Sequence, residues 1–263
     1  MQVSPVRSDE LWRQAPVDLG LSSMRIDVWR TALDAPQAVL SAFEGLLSDQ
    51  ERARAQRFKI ISKRNEYLLC RGLLRSILGR QLGEDPRAFD FQYGPQGKPF
   101  LTESWRGSTV SFNVSHTRGL ALIAVAAGRA LGVDVEALTP RVHAVELARR
   151  FFAPGEVRAL LEFPVAERRE AFFRCWTRKE AFLKATARGI SLGLDQFEVS
   201  LDPRETSALR ATHGDPREAA RWSLVDLDAG PGFAAALAVE GHGHDVACWE
   251  ADLPSGRKSA ALG

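Results

Sequence analysis

The order of elements along this chain repeats, and a repeat of this size limits the fold to two alike pieces. From Met24 the sequence runs MRIDVW, an acidic-basic LLSDQERARAQRF, the long RNEYLLCRGLLRSILGR, then FDFQYGPQGKPFL and VSFNVSHTRGLALIAVAA. From Leu131 it runs LGVDVE, RRFFAPGEVRALLEF, the long ERREAFFRCWTRKEAFLKATARG, then FEVSLDP and RWSLVDLDAGPGFAAALAV. Each series reads as strand, helical turn, long helix, strand and hairpin-like pair. The offset is roughly half the chain, too long for a solenoid. The expected fold is α+β: two similar halves, 1–130 and 131–263, related by a pseudo-twofold. Each half carries a small, mainly antiparallel sheet and a long helix. Two mixed segments that merely look alike are the alternative. If the repeat is real, the seam between halves is the natural place for a cleft.

Composition narrows the class. With 45% apolar and 26% charged residues, the 263-residue chain reads as soluble and globular. A net charge of +2 gives no bulk push toward nucleic acid, so any anion site must be a local cluster. Cys70, Cys175 and Cys248 are odd in number, far apart and set among apolar neighbours. They read as free thiols in a reducing cytosol. Residues 1–20 lack the apolar core of a signal peptide, and the longest apolar run, Leu120 to Ala127, is too short to cross a bilayer. The expectation is a cytoplasmic monomer with neither a membrane nor a nucleic-acid partner.

The stretch LGVDVEAL sets Asp134 and Glu136 two residues apart on a strand that should be buried. Alternation puts both carboxylates on one face. Like charges there repel, so either a cation lies between them or their pKa values rise. In the second long helix Phe172, Trp176, Glu180 and Leu183 share a face with Lys184 at its edge, so Glu180 lies within an apolar stripe. Three acids without His or Cys partners suit a hard cation, and Mg²⁺ fits best. Lys184, one turn beyond Glu180, can meet a phosphate oxygen as a point charge. In the first long helix Leu69, Cys70, Leu73 and Ile77 form a stripe, with Arg64, Arg71 and Arg75 opposite. Such a row ordinarily reads as a solvated face. FNVSHT ends a strand with Ser115 and His116, groups that suit a phosphate oxygen, and the turn GPQGKPF presents Lys98. Each alone has a bland reading: a packed histidine, a hairpin connection.

Together GVDVE (132–136), WTRKEAFLK (176–184), FNVSHT (112–117) and GKP (97–99) resemble the motifs of the 4′-phosphopantetheinyl transferases. The length and doubled plan are similar to the surfactin-synthetase-activating type, with two halves in one chain. The motifs cover roughly residues 45–195. The resemblance implies transfer of phosphopantetheine from coenzyme A to a serine of an apo acyl or peptidyl carrier protein, releasing adenosine 3′,5′-bisphosphate. It implies Mg²⁺ on Asp134, Glu136 and Glu180 and a phosphate-binding Lys184; the chemistry then points to Glu180 as the acceptor of the serine proton and Lys184 as a catalytic partner on phosphate oxygens. Coenzyme A would meet Arg64, Arg71, Lys98, Ser115, His116 and Lys184. Two departures stand out. Ala187 replaces the first glycine after Lys184, leaving Gly189, and Glu51 sits where some relatives carry lysine. The carrier is expected to dock on Pro140 to Phe152, where Arg141, Arg149 and Arg150 offer charge beside Val142, Val145, Leu147 and Phe151. The rivals are a metal-dependent nuclease and an inactive carrier-binding module.

Overall fold

The computed structural model describes residues 12–95, 97–101, 109–187, 193–205, 209–212 and 217–254. After a short β1 (Trp12–Gln14), the first series is β2 (Arg25–Ala32), α1 (Gln37–Glu44), α2 (Asp49–Gln56), α3 (Ile61–Leu82), β3 (Phe91–Tyr93), β4 (Pro99–Leu101), β5 (Val110–Thr117) and β6 (Leu120–Ala127). The second is β7 (Leu131–Ala137), α4 (Ala144–Phe151), α5 (Pro154–Glu162), α6 (Arg168–Thr186), β8 (Phe197–Val199), β9 (Leu209–Thr212), β10 (Trp222–Asp226) and β11 (Phe233–Glu240). Strand β12 (Asp245–Glu250) closes the chain's described structure. The fold is α+β, and its pairing repeats. β5-β6-β2 run side by side, all antiparallel, and β10-β11-β7 do the same. One strand departs from a straight cut at 130/131. β12, from the second half of the chain, pairs parallel with both β2 and β1 in the first-half sheet.

Strand alternation sorts side chains into layers. Ile26, Val28, Leu122 and Ala124 of one sheet share a buried cluster with Val133, Val135, Leu237 and Val239 of the other. The opposite faces bury Ile123 and Val125 against Leu69, Leu73 and Ile77 of α3, and Ala236 and Ala238 against Phe172, Ala181 and Phe182 of α6. The result is helix, sheet, sheet, helix. β6, in the first-half sheet, is buried along its whole length, which explains its unbroken apolar run. Among the described residues no helix is long and apolar enough to cross a membrane.

The arginine row of α3 is not a solvated face. Arg71 is 8% exposed and Arg75 only 1%. The reason lies in α2, whose Ser48 and Glu51 form a reciprocal cap: Glu51 N donates to Ser48 Oγ and Ser48 N to Glu51 Oε2. That cap holds Glu51 against α3, where Arg75 Nε donates to Oε2 at 2.8 Å and Arg71 Nε lies 3.5 Å from Oε1. Arg75 also donates to the Pro86 carbonyl, and both guanidiniums stack on Phe91. Only Arg64 stays at the surface, paired with Glu44 at 3.2 Å.

Candidate active site

Because Leu131, Val133 and Val135 of β7 point into the inter-sheet core, Gly132, Asp134 and Glu136 face α6. A Cβ on Gly132 would stand 2.2 Å from the Ala181 carbonyl oxygen and 2.4 Å from the Ala185 amide. Glycine alone permits that approach, and it brings the turn carrying Lys184 onto the β7 carboxylates. Lys184 Nζ donates to Asp134 Oδ1 at 2.7 Å, Ser115 Oγ at 2.9 Å and the Val133 carbonyl at 3.3 Å. Ser115 Oγ donates to the same Oδ1 at 2.9 Å, and Thr117 Oγ1 donates to Glu136 Oε2 at 3.3 Å. β5, β7 and α6 thus meet at one polar cluster.

The cluster carries excess negative charge. Burial first, then the Asp134 charge, raises both Glu136 and Glu180 above the usual carboxylate range. Lys184 pulls each back only in part. Asp134 Oδ2 is buried and accepts no hydrogen bond. An all-oxygen donor set, a bare buried carboxylate oxygen and surplus charge fit a hard divalent cation. Among the described residues no group of three His, Cys, Asp or Glu side chains is already arranged to hold a metal ion. Magnesium requires none: it keeps waters and takes one or two carboxylates together with substrate phosphates.

Two depressions are lined by residues of β5 and its neighbours, and Glu136 lines the second. One, about 270 Å³, is lined by Arg54, Phe58, Tyr67, Arg71, Pro99 and His116 among others. Burial lowers the His116 pKa, Glu66 opposes that shift, and Nδ1 lies 3.8 Å from Glu66. Arg71 Nη1 and the Tyr67 hydroxyl are buried without a hydrogen-bond partner. The other depression, about 300 Å³, runs from Glu136 past Val142 and Leu147 to Phe172, Phe173 and Trp176.

Most of the residues singled out in the sequence gather here; two do not. Arg64 lies outside the linings of both depressions. Lys98 turns its ammonium to the seam, donating to the carbonyls of Leu131 at 2.9 Å and Lys184 at 2.7 Å. Burial, with the Lys184 charge beside it, lowers its pKa to about 8. The neighbouring Pro99, not the lysine tip, faces the His116 cleft. Gly189 lies outside the described residues. Ala187 is described, and its φ of 52° is left-handed, the conformation that favours the missing glycine.

Comparison with known proteins gives the family. Residues 130–238 match the model of the 4′-phosphopantetheinyl transferase superfamily, and residues 31–128 match that of the 4′-phosphopantetheinyl transferase N-terminal region. The transferase HetI of Nostoc is 40% identical over 238 residues, spanning 90% of this chain and 97% of its own. The chain belongs to the 4′-phosphopantetheinyl transferase superfamily. Within it, Sfp of Bacillus subtilis is 31% identical over 159 residues, 60% of this chain and 68% of Sfp. A phosphopantetheinyl transferase of Thraustochytrium is 29% identical over 234 residues, 84% of this chain and 80% of that one. The doubled pairing order therefore belongs to an Sfp-like transferase, and the two family models abut at the β6–β7 turn.

Sequence reasoning passed over several residues of this site. Gly132 was legible in GVDVE, but its role needs the helix that packs on it. Asn113 and Thr117 stand two either side of Ser115 in FNVSHT, a polar alternation that was available as a signal. Lys179 and Arg178 of WTRKEAFLK are 0% and 2% exposed. They hold the motif together and do not face substrate.

Proposed function

We propose that this transferase moves 4′-phosphopantetheine from coenzyme A to a serine hydroxyl of an apo acyl or peptidyl carrier protein, with Mg²⁺ held by Asp134, Glu136 and Glu180. The observation that carries the reading is the bare, buried Asp134 Oδ2, with Lys184 on the other oxygen and the Glu136 and Glu180 charges acting on the same carboxylate. Magnesium, when bound, offsets charge on the pyrophosphate as the phosphoanhydride bond breaks. The carrier serine oxygen bonds to the phosphorus that bears pantetheine. Its proton passes to Glu180, whose raised pKa suits a general base, directly or through one water. The bond to the nucleotide phosphate breaks, and adenosine 3′,5′-bisphosphate departs with that electron pair.

Lys184 is held on Asp134 and Ser115, so it needs only a small swing to give a donor to a phosphate oxygen. His116, Arg71 and Pro99 border the cleft assigned to the nucleotide. His116 donates a ring N–H to phosphate, and Arg71 supplies positive charge. The carrier docks on Pro140 to Phe152, where Val142 and Leu147 line the apolar groove that starts at Glu136 and Arg149 and Arg150 are exposed. The test is incubation with coenzyme A, Mg²⁺ and a panel of apo carriers, read by intact mass. Gain of one phosphopantetheine, abolished by chelator and restored by added Mg²⁺, supports the reading. No gain on any carrier contradicts it.

A further inference from the structure

β7 pairs with β11 along one edge, and among the described residues no strand pairs with the other. Side chains of β5 close that second edge. Asn113 Oδ1 accepts from Val133 N at 2.9 Å, Ser115 Oγ from Val135 N at 3.4 Å, and Thr117 Oγ1 from Ala137 N at 3.2 Å. The step is two residues on both strands, so one polar face of the N-terminal half's strand stands in for a missing backbone ladder. Between these rungs lie the two acids. Ser115, on the middle rung, also donates to Asp134, and Thr117, on the last, also donates to Glu136.

We propose that Thr117 is a positioning residue for Glu136: its hydroxyl, anchored by the Ala137 amide, holds the carboxylate beside Asp134 for the cation. A hydroxyl that accepts from an N–H keeps one hydrogen to give, and here that hydrogen goes to Glu136. Glu136 needs such a restraint. It is only half-buried, and repulsion from Asp134 favours rotamers that swing it into the open groove. Threonine's branched Cβ limits the hydroxyl to few directions. The N-terminal half thereby sets the spacing of acids that belong to the C-terminal half. The inference rests on Glu136 being a ligand to Mg²⁺.

The test uses Mn²⁺ as a spin probe, its binding to the full-length enzyme followed by electron paramagnetic resonance in the presence of coenzyme A. Thr117→Ala and Thr117→Ser both lack the methyl group and differ by the hydroxyl alone, so any packing loss is common to the two. Thr117→Ala should weaken Mn²⁺ binding about tenfold, as loss of a supporting hydrogen bond to a ligand does, with kcat lowered and KM for coenzyme A unmoved. Thr117→Ser should restore the parent affinity. Equal Mn²⁺ affinity in the alanine variant and the parent overturns the inference, as does equal weakening in Ser and Ala. Glu136→Gln is measured alongside. If it loses Mn²⁺ while Thr117→Ala does not, only the positioning role fails. If it binds Mn²⁺ like the parent, the ligand assignment fails and the positioning role with it.

Discussion

At Ala187 the chain pays a conformational cost that one substitution removes. A non-glycine residue at φ 52° costs roughly 1–2 kcal/mol through contact of its Cβ with the backbone. Ala187→Gly should therefore raise stability by about 1 kcal/mol, read as the shift of a urea midpoint at unchanged slope. A second expectation concerns Glu136 and Glu180, whose folded pKa values lie above the ordinary 4.5. Between that ordinary value and the raised one, the folded state binds more protons than the unfolded. Stability of the metal-free protein thus falls as pH rises through this window and stays low above it. Glu136→Gln and Glu180→Gln should each raise the metal-free Tm at neutral pH by a few degrees and flatten that slope, while abolishing transfer. A lowered Tm in both would mean the acids are not strained by one another. The shared face of Asp134 and Glu136 was legible from a period of two. Thr117 was not singled out, because its bond to Glu136 exists only once the two halves meet.

At the scale of elements, the long tryptophan-to-lysine motif divides its two lysines between structure and chemistry. Lys179 Nζ pairs with Glu156 at 2.7 Å and donates to the carbonyls of Leu194 and Phe197, tying α5 and α6 to the start of β8. Glu156 in turn accepts from the amides of Ala153 and Val199. Lys179→Met leaves that carboxylate charged and buried, and should cost about 3–5 kcal/mol in denaturant melts. Lys184, one turn and a residue later, lies at the acids. Periodicity put Glu180 within an apolar stripe and Lys184 at its edge, which was enough to set them apart. It misjudged Arg71 and Arg75, since a helical wheel gives directions but not what lies there. Gly132→Ala tests the contact of β7 with α6. The added Cβ meets backbone and cannot be accommodated by a side-chain rotation, so a loss of about 1–3 kcal/mol or more is expected, together with loss of transfer.

Across the whole molecule, the doubled order of elements became two sheets stacked face to face, and each half brings part of the cluster to the seam. Lys98 from the first half bonds carbonyls of the second, and Ser115 lies on Asp134. The return of β12 into the first-half sheet was not legible, because a parallel partner distant in sequence leaves no local pattern. Its anchor is Asp27, 0% exposed, which accepts from Trp249 Nε1, Gln81 and Arg25. On the outside, exposed Arg149 and Arg150 should steer an acidic carrier. Their reversal to Glu should raise KM for such a carrier and flatten its salt dependence, leaving KM for coenzyme A in place. An unchanged carrier KM would move the docking face off α4. The most direct test of metal-assisted transfer at the seam is a Mg²⁺ titration of single-turnover transfer by Glu180→Gln and Asp134→Ala, read by intact carrier mass. The expected result is folded variants that add no phosphopantetheine at any Mg²⁺ concentration; near-parent rates at saturating Mg²⁺ would contradict it.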